Sequence, residues 1–187
     1  MVANNTMINF DDFIKKYAGV GIDVDNYPAG NLFQCMDLMH RFCQETLGLE
    51  DLRILAAPNA KTVYLNFSNV FGHELFEKID NTPTGVPLKG DIVFYNWGAD
   101  GHVDVFIQGD VNSFRSFSQN FPTGSKSIVV NHPNYVGVLG WLRLKPTTDW
   151  KKKFDELTIE YQTWRQVKQK EIDELKAKIQ KAKNDLA

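Results

Sequence analysis

Hydrophobic positions recur at helical spacing in the first half of the chain. In the segment NFDDFIKKYAG the apolar positions from Phe10 to Tyr17 share one face, Asn9 is placed to cap the helix, and Gly19 is placed to end it. The segment QCMDLMHRFCQETLG has the same period and stops at Gly48, and FGHELFEKID is a third candidate helix. This half of the chain is therefore predicted to be helical.

From residue 90 onward the apolar positions alternate with a period of two. Gly, Asp, Asn and Pro residues divide this part of the chain into four predicted strands: GDIVFYNW (90–97), GHVDVFIQGD (101–110), SFRSFSQNF (113–121) and VGVLGWLRL (136–144). Helices followed by an antiparallel sheet are typical of an α+β domain, which is the predicted fold class.

The end of the chain has a different composition. LKPTTDW (144–150) is typical of a linker, and the residues after it lack Gly and Pro and are rich in Lys, Glu, Gln and Leu, which predicts one long helix. We therefore predict a domain over residues 1–148 and a helical tail over 149–187. Apolar residues between 154 and 186 follow coiled-coil spacing with one stutter, so the tail is interpreted either as a helix that pairs with another chain or as a solvated single helix.

Composition narrows the class of protein. The 187 residues are 43% hydrophobic and carry a formal net charge of −2, which fits a globular protein and gives no basis for predicting a nucleic-acid partner. The longest apolar runs are far shorter than the roughly 20 residues that a membrane span needs. MVANNTMINFDDF lacks a basic region followed by an apolar stretch, so we expect no signal peptide and synthesis in a cytoplasm.

Two cysteines, Cys35 and Cys43, fall on the second predicted helix. On one helix they would lie about 12 Å apart, whereas a disulfide needs Cα atoms within about 7 Å, so both are predicted to be free thiols. Cys35 comes at the start of the helix, where unpaired N–H groups and the helix dipole favour a thiolate. Cys35 is therefore the candidate nucleophile, and Cys43 is predicted to be a core thiol.

A thiol nucleophile needs a base within hydrogen-bond reach. His40 lies about 140° round the same helix from Cys35 and is poorly placed for this role. His102 follows Gly98 and Gly101, which keep the approach open, and begins an apolar strand that gives it a rigid mount. His102 is therefore the preferred base.

A third group has to orient that histidine. Ser118 and Asn120 alternate along the next strand and are predicted to share one face, with Phe121 on the other. If the two strands pair as a hairpin, this polar face lies beside His102. Asp104, two residues after His102, is a further candidate on the histidine's own face.

These segments together resemble the CHAP domain, the cysteine- and histidine-dependent amidohydrolase/peptidase of papain-like fold found in phage endolysins and bacterial cell-wall hydrolases. The resemblance covers residues 8–145 and depends on five segments in order: FQCMDL, LKGDIVFYN, GHVDVFI, SFSQNF and GVLGWLRL. It implies that the Cys35 thiolate attacks an amide carbonyl in peptidoglycan. It also implies that His102 first takes the thiol proton and then gives a proton to the leaving amine.

One position departs from the family. Phage members read Glu-x-Asn after the histidine, whereas this chain reads Ser118-Gln119-Asn120. The resemblance therefore implies Asn120 as the third catalytic residue, since a neutral Asn or Ser can also orient an imidazole. Ser118 and Asp104 are the candidate substitutes. The missing glutamate favours an alternative: a catalytically inactive CHAP-like structural or wall-binding protein that docks on the cell wall or on a virion through its helical tail.

Acidic residues lie on both sides of the cysteine in the sequence. Asp23, Asp25 and Asp37, with Tyr27 among them, offer the oxygen ligands that suit Ca²⁺. Some phage CHAP domains bind calcium through Asp-x-Asp-x-Tyr before the cysteine and an Asp two residues after it, so the resemblance implies a calcium site here. The alternative is that Asp23 and Asp25 form turns and Asp37 is a first-turn helix acid. No organic cofactor is expected.

The expected function is thus a peptidoglycan hydrolase, either an N-acetylmuramoyl-L-alanine amidase or an endopeptidase, from a phage or a bacterium. Its expected partner is bacterial peptidoglycan. The protein would be made in the host cytoplasm and act on the cell wall, or be carried on a virion. Residues 154–186 would then serve self-association or virion contact.

Overall fold

The computed structural model describes residues 7–24, 33–146 and 150–185, with the side chains of the last helix from residue 156 onward. The chain divides into two units, Met1–Lys145 and Pro146–Ala187. Both Cys35 and His102 belong to the first unit, so the candidate site lies within it.

Within the described residues, six strands form one antiparallel sheet. The strands are β1 (Phe76–Asp80), β2 (Ile92–Tyr95), β3 (His102–Gly109), β4 (Phe114–Ser118), β5 (Ile128–His132) and β6 (Val138–Leu144). Their order across the sheet is β1-β6-β2-β3-β4-β5. The four strands predicted from alternation are β2, β3, β4 and β6, and β3 pairs with β4 as a hairpin, which brings the polar face of β4 beside His102.

Helices precede most of the sheet in the chain and pack against it. They are α1 (Phe10–Tyr17), α2 (Cys35–Glu45) and α3 (Ala60–Leu65), with 3-10 turns at Phe67–Asn69 and His73–Leu75. The Asn9 side chain accepts a hydrogen bond from the Asp12 N–H at 3.0 Å, so the predicted helix cap is confirmed. Phe13 of α1 packs edge-on against Phe42 of α2 and Phe117 of β4, with ring centroids 5.6 and 6.1 Å away. One core therefore joins helices and sheet, and the α+β class is confirmed.

One predicted helix is wrong. FGHELFEKID forms a short 3-10 turn followed by β1, because Gly72 has a left-handed φ of 80° and the residues from Phe76 onward pair with β6. Sheet pairing thus overrides a segment that contains good helix formers. The sequence pattern also does not predict α3, whose 6 residues are too few for a periodic signal, or β5.

The second unit contains a long helix, α4 (Trp150–Asp185), of 36 residues, as the composition without Gly and Pro predicts. Large apolar side chains along it are exposed: Ile159, Trp164, Val167, Ile172, Leu175 and Ile179. The coiled-coil interpretation of this stripe stays a prediction. None of the helices within the described residues combines the length and the hydropathy of a membrane span.

Candidate active site

Cys35 and His102 line the same cleft. Cys35 is the first residue of α2 and His102 is the first residue of β3, so each side chain is set at the end of a regular element. The cleft has a volume of about 900 Å³, and its walls also include residues 56–60 and 97–101. Its size is within the range of ligand-binding clefts in proteins.

The two cysteines have opposite environments. Cys35 is partly exposed at the helix start, whereas Cys43 is buried, and both are free thiols as their helical spacing predicts. Burial raises the pKa of Cys43 to about 12, so this thiol stays protonated at neutral pH. Cys43 is therefore the core thiol that the sequence predicts, and Cys35 is the thiol that solvent can reach.

A set of hydrogen bonds fixes the start of α2. Asp37 accepts from the backbone N–H of Gln34 at 2.6 Å and of Val24 at 3.2 Å, which is the capping role of a first-turn acid. Gln119 is fully buried and donates to the carbonyl oxygens of Gln34 at 2.7 Å and Ile22 at 2.8 Å. Gln34, the residue before Cys35, is thus held from two sides, and the sequence pattern does not predict this role of Gln119.

The imidazole of His102 is oriented by two side chains. Its Nε2 lies 2.7 Å from Asp104 Oδ1 and 3.0 Å from Ser118 Oγ. Cys35 lines the same cleft and acts electrostatically on His102. Burial acts to lower the pKa of His102, but Asp104, helped by Cys35, outweighs it and raises this pKa to about 10. The site therefore favours the imidazolium form of His102.

Asp104 is buried inside a network of polar side chains. Its Oδ2 accepts hydrogen bonds from Tyr95 Oη at 3.0 Å and from Ser116 Oγ at 2.7 Å, and His132 Nε2 lies 3.4 Å away. Burial opposes ionisation of Asp104, but the neighbouring imidazoles outweigh it and hold the pKa of Asp104 well below its usual range. Asp104 is therefore a carboxylate, and the sequence pattern does not point to Tyr95 or His132 as its partners.

Asn120 contacts a different set of groups. Its Nδ2 donates to Gln34 Oε1 at 3.0 Å, and its Oδ1 accepts from the Gly124 N–H at 2.6 Å. β4 ends at Ser118, and Asn120 follows with a positive φ of 63°. The side chains that hydrogen-bond to the imidazole are those of Asp104 and Ser118, which the sequence offers as substitutes, whereas Asn120 joins the residue before the nucleophile to a turn.

An aromatic wall covers the imidazole. Trp97 stacks on Tyr95 with ring centroids 4.0 Å apart and on Phe121 at 4.8 Å, and it lies almost parallel to His102 at 5.7 Å. The prediction that Phe121 faces away from the histidine is wrong, because the turn after Ser118 ends the alternation and brings the two rings to 5.3 Å. This wall keeps water from the imidazole, which strengthens its electrostatic interactions.

The predicted calcium ligands fall partly outside the described residues, as Asp25 and Tyr27 do. Among the described residues, no three His, Cys, Asp or Glu side chains are grouped as metal ligands. Asp37 lies against the segment that carries Asp23, through its hydrogen bond from the Val24 N–H. Carboxylate oxygens are ligands that calcium prefers, so the residue types fit a calcium site. The calcium site stays a prediction.

The sequence matches no protein-family model and no curated protein. Among solved structures, the fold is similar to the crystal structure of a wild-type endolysin, LysIME-EF1. The TM-score is 0.57 at 22% sequence identity, and the match covers 76% of this chain and 67% of that chain. At this identity the similarity establishes an endolysin-like fold.

Proposed function

We propose that the protein is a cysteine-dependent peptidoglycan hydrolase with a CHAP-type catalytic domain. The observation that carries this proposal is the arrangement in the cleft, where Cys35 at a helix start and His102 line the same walls, and Asp104 holds His102 Nε2 at 2.7 Å. A buried imidazole–carboxylate pair beside a partly exposed thiol is an arrangement that activates a cysteine nucleophile.

The reaction we propose transfers an acyl group to sulfur and then to water. The Cys35 thiolate attacks the amide carbonyl, and the N–H groups at the start of α2 stabilise the negative charge on the carbonyl oxygen. The His102 imidazolium gives its proton to the leaving amine, the C–N bond breaks, and a thioester remains. Neutral His102 then takes a proton from water, whose oxygen attacks the thioester and releases the acid. This last step restores the thiolate and the imidazolium.

The position of Asp104 favours an active enzyme over a catalytically inactive protein. The missing glutamate at position 118 is the sequence feature that favours an inactive wall-binding protein. In the structure, Asp104 places a buried carboxylate on the nitrogen that such a group would serve. With that carboxylate present, the cleft has a nucleophile, a base and a negative charge that stabilises the imidazolium.

The fold supports peptidoglycan as the substrate, since endolysins cut peptidoglycan and the chain shares its fold with one. The bond cut would be an amide, either the one between the lactyl group and L-alanine or one in the stem or cross-bridge peptide. The protein would be made in the host cytoplasm and act on the wall, or be carried to it on a virion.

The proposal extends to the division of the chain into a domain and a tail, and to calcium. Residues 1–148 form the catalytic domain and residues 149–187 the tail, whose exposed apolar side chains serve self-association or virion contact. Calcium held by Asp23, Asp25, Tyr27 and Asp37 would stabilise the segment before the nucleophile and take no part in the reaction.

Mass spectrometry of purified peptidoglycan after digestion tests the proposal and identifies the bond. The wild-type protein should release fragments with a new amino terminus, at L-alanine for an amidase or within the peptide for an endopeptidase. Cys35→Ala should release none while keeping its circular dichroism spectrum, and Cys43→Ala, the matched control, should release the wild-type fragments.

Two outcomes would contradict the proposal. Cleavage by Cys35→Ala near the wild-type rate would rule out this nucleophile. A wild-type protein that binds walls of several chemical types and cuts none of them would favour the inactive wall-binding protein.

A further inference from the structure

A second histidine lies on the far side of the carboxylate that orients His102. His132, the last residue of β5, is 6% exposed. Its ring stacks on Phe114 with the centroids 4.3 Å apart and the planes at 13°, so packing fixes its position. Its Nε2 lies 2.8 Å from Ser116 Oγ and 3.4 Å from Asp104 Oδ2.

The hydrogen bonds of this network have a defined direction. An ionised Asp104 only accepts, so Ser116 Oγ and Tyr95 Oη each give their single hydrogen to its Oδ2, at 2.7 and 3.0 Å. Ser116 Oγ can then only accept from His132, so His132 Nε2 carries a hydrogen. The donors thus run in order from His132 through Ser116 to Asp104.

We propose that His132 is a positioning residue for the catalytic pair: by donating to Ser116 Oγ it strengthens the hydrogen bond from Ser116 to Asp104, and so keeps Asp104 in place for His102. This inference rests on the proposed function, since only a catalytic His102 needs its ring held at one angle. Without that donor, the Ser116 hydrogen bond, one of the two that fix Asp104 Oδ2, is weaker.

The groups that face His132 come from three strands. Tyr95 of β2 lies 3.5 Å from its Nε2, Asp104 comes from β3, and Ser116 and Phe114 come from β4. Burial, with the charge of Asp104, raises the pKa of Tyr95 well above its ordinary value. Tyr95 therefore stays a neutral donor across the working pH range, and His132 is the group whose removal tests the network.

Two substitutions separate hydrogen bonding from packing. His132→Phe keeps an aromatic ring against Phe114 and removes the donor, whereas His132→Gln keeps an N–H donor and removes the ring. On soluble peptidoglycan fragments, kcat should fall about ten-fold in His132→Phe with little change in KM, because the reacting groups are misaligned while the cleft is intact. His132→Gln should recover most of this loss.

Further variants serve as controls. Ser116→Ala breaks the same link with a smaller packing change, so its loss of kcat should resemble that of His132→Phe and should not add to it in the double variant. His73→Phe changes a histidine whose side chain is 34% exposed, and it should match the wild type.

Alkylation of Cys35 by iodoacetamide across pH gives a readout that needs no substrate. The rate of Cys35 alkylation at neutral pH should fall in His132→Phe and stay near wild type in His132→Gln. The inference is wrong if His132→Phe has the wild-type kcat and alkylation profile, or if His132→Gln is as slow as His132→Phe. Activity retained by Cys35→Ala would instead overturn the proposed function, so the two failures are distinguishable.

Discussion

The negative charge beside His102 comes from its own strand. Side chains two residues apart on a strand point to the same face, and Asp104 Oδ1 reaches His102 Nε2 at 2.7 Å. Ser118, on the neighbouring strand, reaches the same nitrogen at 3.0 Å but is neutral. The carboxylate beside the imidazole thus lies on β3, whereas the family that the sequence resembles has a glutamate at the position of Ser118.

Asp104→Asn should move the alkaline limit of activity. Burial lowers the pKa of His102 and Asp104 raises it, with a net value of about 10. Without the carboxylate the pKa of His102 falls, so the imidazolium loses its proton at a lower pH. The alkaline limb of kcat should therefore move from near pH 10 towards neutral, which a series of kcat measurements against pH will show. An unmoved limb would mean that another group holds the imidazolium.

A carboxylate introduced at position 118 is the matched control for removing the carboxylate at position 104. Ser118→Glu alone puts a second carboxylate beside Asp104 at a fully buried position, so stability and activity should both fall. In an Asp104→Ala background the same substitution should raise kcat about ten-fold. If the double variant is no faster than Asp104→Ala, the two positions are not equivalent.

Sequence is sufficient for residues whose role depends on their place in one element. Cys35 and Cys43 follow from helical spacing, because a helix start and a helix interior differ in a predictable way. The partner of the imidazole depends on distances between strands and on the turn after Ser118, where Asn120 has a φ of 63°. Spacing along the chain does not encode these distances. The sequence therefore identifies Asp104 as a candidate but does not show whether it or Asn120 contacts the imidazole.

At the scale of elements, alternation predicts the strands that have a buried face. The sequence pattern does not predict β5, because this strand lies at the edge of the sheet and only its last residue, His132, is buried. Such a strand gives a weak period-two pattern, although its Ile-Val-Val run before Pro133 is typical of a strand. Because this strand is not predicted, the sequence pattern also does not place His132 beside Asp104.

The start of β3 depends on Gly101. Its φ is +72°, and a Cβ there would lie 2.6 Å from the Tyr95 carbonyl oxygen and 2.9 Å from the Lys61 nitrogen. Gly101→Ala should therefore displace the strand start together with His102. Its free energy of unfolding in urea should fall by more than about 2 kcal/mol, and kcat should fall with it.

Gly19→Ala is the control for the strained backbone alone. Its φ is +78°, and no atom of the described residues lies within 4 Å of the added Cβ. It should cost about 1 kcal/mol and leave kcat at the wild-type value. Equal losses in the two variants would show that the close approach of Tyr95 to Gly101 has no effect.

For the whole molecule, the order of elements predicts the fold class but not the sheet order. Helices followed by strands indicate an α+β domain, and a change in composition indicates the helical tail. The last strand of the sheet, β6, lies between β1 and β2. That pairing joins residues far apart in the chain, which local patterns do not specify.

If calcium binds at Asp23, Asp25 and Asp37, it should raise the free energy of unfolding of the whole first unit. Asp37 joins the start of α2 to the segment after Asp23 through the Val24 N–H at 3.2 Å. An ion shared by Asp23, Asp25 and Asp37 would hold these parts of the chain together. A ligand that binds only the folded state stabilises it by about 2.7 kcal/mol at one hundred times its Kd.

The measurement is Tm in millimolar calcium and in chelator. Tm should rise with calcium in the wild type and not in the variant with Asp23→Asn and Asp25→Asn. Asp37 is unsuitable for this test, because its carboxylate also caps α2 and its loss would lower Tm under both conditions. A variant with Glu156→Gln and Glu160→Gln, which removes two exposed charges on α4, should keep the full calcium response. If the wild-type Tm is the same in calcium and in chelator, calcium does not bind the folded protein. The three aspartates are then turn and cap residues.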